Sequence, residues 1–212
     1  MEEPTSHPSR PVPDCQRDVQ RKLGRCMLKL QAYEMLLKKM VASTELSGAP
    51  DQLEVAREKK AAEHHRQTLG SLVGAFTQNY LKPSDLPDDP EDDGVRDERC
   101  WVSIRFSMEL PEVQYAQTNA ALKELVGLRN DLVHHFLGYF DLECADGCAG
   151  AEAYLDERYE SICRHYLDLC EWAKSMDEVR QRMHAIIETP QIREFMISAP
   201  SDEDSVSTYR VE

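Results

Sequence analysis

Between Asp14 and Met40 the chain reads DCQRDVQRKLGRCMLKLQAYEMLLKKM. Val19, Leu23, Cys26, Leu30, Tyr33, Leu37 and Met40 recur at alternating spacings of four and three, the period of one helix face. This spacing predicts a long amphipathic helix, with Asp14 placed to cap it. At about 100° per residue, Arg17, Arg21 and Arg25 fall opposite or beside the apolar stripe and face solvent. Ser47-Gly48-Ala49-Pro50 reads as its stop. A second helix is expected from about Asp51 to Leu81, its apolar side made by Leu69, Leu72, Val73, Phe76 and Tyr80. The pair would form a long antiparallel hairpin.

Further along, Val102, Ile104, Phe106 and Met108 alternate with polar residues, the period of a strand or of an extended segment packed on helices. Pro111 suits a first helical turn. A third helix is expected to about Leu137, with Leu122, Leu125, Val126, Leu132, Val133 and Phe136 inward. Gly138 and the Gly147/Gly150 loop would break the chain. A fourth helix is expected from Ala151 to Lys174, and a short fifth to Ile187. The sum is an all-α antiparallel bundle. Its expected limits are a disordered N-terminus over 1–13, one helical domain over 14–188 with an acidic insert at 82–99, and a tail over 189–212.

Composition narrows the function classes. The 212 residues carry 25 basic and 39 acidic side chains, a net charge of −14. The stretch from Lys82 to Arg99 holds eight acids against three bases, and the stretch from Ser198 to Glu212 four against one. Both read as solvated segments. Gln16 to Met40 is net +5, so overall acidity does not exclude a local polyanion-binding face. No apolar run reaches the roughly 18 residues of a membrane span, and the acidic first residues do not resemble a secretory signal. A cytoplasmic protein without a membrane partner is expected. Seven cysteines, an odd number, argue against a disulfide framework. Cys144 and Cys148 lack a second ligand pair, so no metal site is expected. Cys163 and Cys170, seven apart, read as small core residues, and Trp101 and Trp172 as core or interface anchors. His64, His65, His165 and His184 read as exposed or half-buried helix residues.

One constellation carries chemistry: Leu128-Arg129-Asn130-Asp131-Leu132-Val133-His134-His135-Phe136. Arg followed by His after four to six residues has little force alone, since Arg57–His64 and Arg158–His165 also satisfy it. Asn directly after Arg, Leu-Val directly before His, and a place inside a helix set this match apart. Over these nine residues the chain resembles the Arg-Asn-x-x-Val-His signature of HEPN-domain ribonucleases, all-helical proteins common as toxins and phage-defence effectors. The resemblance implies a metal-independent endoribonuclease without cofactor. It further implies a homodimer in which two copies of the motif line one cleft, and an antitoxin or other regulatory partner.

The chemistry can be argued beside the resemblance. Cleaving RNA without metal needs a base for the 2′-hydroxyl, an acid for the departing 5′-oxygen and a cation for the pentavalent phosphate. His134 can move protons near neutral pH. Arg129 offers a permanently charged fork to phosphate, and the Asn130 amide can orient a phosphate, a water or the imidazole. Five positions along an α-helix separate Arg129 and His134 by about 140°, which one chain would not easily aim at a single phosphate. Arg17, Arg21, Arg25, Lys29 and the extra imidazole His135 are candidate RNA contacts. Family members regulated by nucleotide transfer often carry Tyr two positions after His; Phe136 stands there here, and Tyr139 lies one turn on. The alternative is a non-catalytic helical module, in which the same Arg-Asn-His set makes polar contacts and a protein partner binds a bundle face or an acidic segment.

Overall fold

The computed structural model describes residues 11–48, 52–84 and 102–191. Most of them are helical. The first helix, α1 (Val12–Ala42), buries Cys15, Val19, Cys26, Leu30, Tyr33, Leu37 and Met40 along the expected stripe. It begins two residues before the expected cap. Pro13 fits the first turn, where its missing N–H has no partner to lose. Asp14 therefore lies inside the first turn, beside the helix's positive end, and pairs with Arg17 instead of capping.

The chain then turns into a short strand, β1 (Glu45–Gly48), where the sequence suggested only a stop. The expected single second helix is two: α2 (Leu53–His65) and α3 (Leu69–Asn79). The hairpin thus has a broken second limb. Thr68 makes the break, accepting from the Ser71 backbone N–H while the Ser71 hydroxyl accepts from the Thr68 N–H. This reciprocal box satisfies two donors of a new helix start, so a fresh helix is favoured over a continued one.

Strand β2 (Leu81–Pro83) opens the acidic stretch; its remainder after Ser84, with Trp101, lies outside the described residues. The alternating segment is two strands, β3 (Val102–Arg105) and β4 (Met108–Leu110). β3 pairs antiparallel with β1, setting Glu45 opposite Arg105, and β4 pairs parallel with β2. Two small ladders thus fasten both ends of the excursion, a minor β component in a mainly helical fold.

Pro111 precedes α4 (Glu112–Asn130), which continues through a π-helical turn, Asp131–His135, into the single turn α5 (Phe136–Tyr139). The expected fourth and fifth helices are one, α6 (Ala145–Ile187). Leu155, Ile162, Leu169 and Met176, each seven residues on, form an unbroken buried stripe through it. Gly147 belongs to its first turn. A Cβ at Gly147 would collide with the Asp141 carbonyl, so glycine is required for close approach. The Cys144 thiol caps the helix, accepting from the Gly147 N–H at 3.3 Å.

The largest packing surface lies between α1 and α6. These helices run parallel, contrary to the expected antiparallel arrangement. Gln16 reaches the Leu142 carbonyl, Lys22 reaches Glu152 and Asp156, and Lys29 lies over Tyr166, so the residue numbers rise together. The hundred residues between the two helices are ample for a return crossing. α4 runs antiparallel to α6, with Phe136 against Tyr154 and Ala121 and Leu122 near His165 and Asp168. No described helix is long and apolar enough to cross a membrane.

Candidate active site

Leu125, Leu128, Leu132 and Phe136 anchor the end of α4 in the core and fix which residues are left to face outward. In a regular α-helix Arg129 and His134 would point about 140° apart. The intervening π turn closes i→i+5 hydrogen bonds and winds extra chain into one turn, so residues five apart come to lie one above the other. Arg129 Nη1 accordingly stands 3.4 Å from His134 Nε2 and donates to Asn130 Oδ1 at 3.2 Å. The three motif residues meet within one chain, correcting the expectation of divergence.

A guanidinium only donates, so in this contact a neutral His134 ring presents Nε2 as acceptor and carries its proton on Nδ1. The two Nη1 hydrogens serve Asn130 and His134, leaving the Nε and Nη2 edge free as a fork for a phosphate. Arg129 is half-buried, His134 is exposed, and no carboxylate among the described residues pairs with this guanidinium. Asp131, adjacent in sequence, accepts from the Tyr139 hydroxyl at 3.2 Å instead.

The basic face of α1 is placed elsewhere. Arg17 pairs with Asp14, Arg21 with Asp18, and Arg25 with Asp156 at 3.0 Å. Arg25 and Lys29 lie over the rings of Tyr159 and Tyr166, each 3.9 Å from the centroid. An open groove of about 450 Å³ runs past Arg21, Gly24, Arg25, Leu28, Lys29 and Tyr159. The motif helix meets α6 at Tyr154. Asp156 and Tyr159, two and five positions on, lie about 160° and 140° round that helix. The groove therefore flanks the side of α6 turned away from Arg129 and His134. Of the candidate RNA contacts only His135 is beside the motif, its ring centroid 6.3 Å from that of His134.

The other singled-out residues have structural places. Cys148 is buried and bonds the Leu142 carbonyl, and no cluster able to hold a metal occurs among the described residues. Cys163 and Cys170 are half-buried beside Tyr159 and Tyr166. Trp172 is half-buried and stacks on Phe76. His64 bonds Gln67 and His184 is exposed. His165 is half-buried in a recess of about 210 Å³ with Tyr33 and Trp172. Burial holds its imidazole below the ordinary pKa; Glu124 and Asp168 oppose this, and Arg164 adds to it. Phe136 is a core residue, 3% exposed, so a modifying enzyme could not reach that position.

The mutual contacts of four neighbours of the motif, Asp131, Tyr139, Tyr154 and Arg158, are not legible in the sequence. Tyr139 bonds across the π turn, Tyr154 packs against Phe136, Tyr139 and Phe140, and the Arg158 guanidinium lies 4.7 Å from the Tyr154 ring centroid. Their signal was the Tyr154/Arg158 spacing of four on one helix face, uninformative until the partner helix is known. No family model, curated protein or solved structure matches this chain.

Proposed function

We propose that the protein is a metal-independent endoribonuclease of HEPN type, acting as a toxin or defence effector in the cytoplasm. The observation that carries this reading is the Arg129–His134 pair, held 3.4 Å apart at the surface with an unused guanidinium edge. The His134 Nε2 lone pair takes the proton of the ribose 2′-hydroxyl once the guanidinium shifts to the phosphate. Arg129 then stabilises the charge that builds on the phosphoryl oxygens, and the imidazolium returns a proton to the departing 5′-oxygen. Asn130 steers the guanidinium through Oδ1. A homodimer would bring a second copy of the pair to the same strand. Val133 and Leu137, one turn apart and 40% and 77% exposed, offer an apolar edge for it.

The test compares the wild type with Arg129→Ala and His134→Ala on labelled RNA and DNA, with and without EDTA, after confirming that all three fold. The expected products carry 2′,3′-cyclic phosphate ends, DNA stays intact, and chelator has no effect. Equal cutting by the variants, loss of activity with EDTA, or digestion of DNA overturns the mechanism. The second reading, a non-catalytic interaction module, is favoured by Leu28, Met35 and Leu167, exposed at 68%, 62% and 64%. It predicts intact RNA and a stoichiometric protein partner on purification.

A further inference from the structure

An exposed aromatic surface adjoins the motif. Tyr139 is 53% exposed, and its ring centroid lies 6.4 Å from that of the exposed His135. Its hydroxyl is tethered to Asp131, so the ring is held at a fixed place beside the π turn. Partial desolvation and the Asp131 charge raise the phenol above its ordinary pKa. Behind it stand Phe140 and Tyr154, each 6.4 Å away, and Arg158 presses on the far ring. The surface is thus a braced aromatic shelf continuous with His134.

We propose that Tyr139 and His135 form a stacking shelf for a nucleobase of single-stranded RNA, seating it next to the phosphate held by Arg129. The proposal rests on the ribonuclease reading above and adds a substrate preference to it. A base stacks on an exposed ring whatever its identity, because every base has a π-face. Bases inside an A-form duplex are already stacked and paired and cannot be splayed onto a side chain. The shelf therefore selects strandedness and tolerates sequence. The Tyr ring supplies the contact and its hydroxyl only the tether, which separates the two roles by substitution.

The experiment measures binding of a fluorescent, uncleavable 2′-O-methyl RNA by anisotropy, as a single strand and as a duplex. The proteins are the wild type, Tyr139→Ala, Tyr139→Phe, His135→Ala and Arg129→Ala, with the oligomeric state of each followed by sedimentation. Tyr139→Ala is expected to weaken single-strand binding about tenfold, Tyr139→Phe less than threefold, and neither to alter the weaker duplex binding. Unchanged affinity in Tyr139→Ala, with a clear loss in Arg129→Ala, overturns the shelf and leaves the ribonuclease reading standing. Failure of the wild type to bind either RNA overturns both. A Tyr139→Ala protein that changes its oligomeric state makes the ring an interface residue and also overturns the shelf.

Discussion

Substituting Arg129 by Lys keeps the charge and removes the fork, which isolates what the geometry contributes. The guanidinium spends its two Nη1 hydrogens on Asn130 and His134 and retains the Nε and Nη2 edge for a phosphate. An ammonium is a point charge whose three donors diverge, without the parallel pair of N–H groups of a guanidinium edge. A two-pronged phosphate contact therefore becomes single. One lost charge-assisted hydrogen bond is about 1.5–3 kcal/mol, or roughly 10- to 150-fold in kcat/KM. Full truncation to Ala removes the charge as well and should cost on the order of 10²–10³ or more. Arg129→Lys should therefore fall between the wild type and Arg129→Ala. The assay is single-turnover cleavage of a quenched fluorescent RNA in EDTA, beside urea unfolding, which should move by no more than about 0.5 kcal/mol at this partly solvated site. A Lys variant cutting at the wild-type rate would refute the argument, because a point charge would then suffice.

Three further outcomes test the fold that presents the site. Phe136→Ala should destabilise the protein by about 3–5 kcal/mol in urea titration, since the ring is 3% exposed and packs against Phe140 and Tyr154. Thr68→Ala should cost about 0.5–2 kcal/mol and unlock the start of α3, read as faster amide exchange over its first turn. The hydrogen bond from Lys22, opposed by desolvation and aided by Lys22 and Arg25 charge, holds Asp156 below its ordinary pKa of 3.8. A lowered carboxylate stabilises fully above pH ~4 and loses that contribution as pH falls through its folded-state value. The melting temperature should therefore drop on the acid side of pH ~4, and drop less in Asp156→Asn.

Local patterns were legible and long-range ones were not. The α1 stripe and the start of α4 after Pro111 follow from spacing and from proline's fixed φ, so both could be read from neighbouring residues. The Arg129-Asn130…His134 set was found from its frame, but not its geometry. A π turn has no composition of its own; it depends on Leu128, Leu132 and Phe136 all reaching the core, and that core is built partly by α6. The acids that occupy Lys22 and Arg25 lie more than a hundred residues away, so the α1 face looked barer in the sequence than it is. Gly147 looked like a loop breaker because its neighbour across the turn, the Asp141 carbonyl, cannot be seen in a linear reading. The Thr68 break was written locally, in Thr-Leu-Gly-Ser, but Ser in the third position is a weaker sign than Glu or Gln.

The parallel pairing of α1 with α6 also sets a timetable for biosynthesis. A ribosome adding about 5–20 residues per second needs roughly 7–30 s to pass from the end of the first helix to the end of the last. Throughout that interval the first helix has α2 and α3 to pack against but lacks its largest partner surface. The motif helix likewise emerges before Tyr154 and Arg158, the side chains that back it. A polypeptide stalled or cut short before α6 would leave the Arg129–His134 pair without the Tyr154 and Arg158 side chains that back its helix.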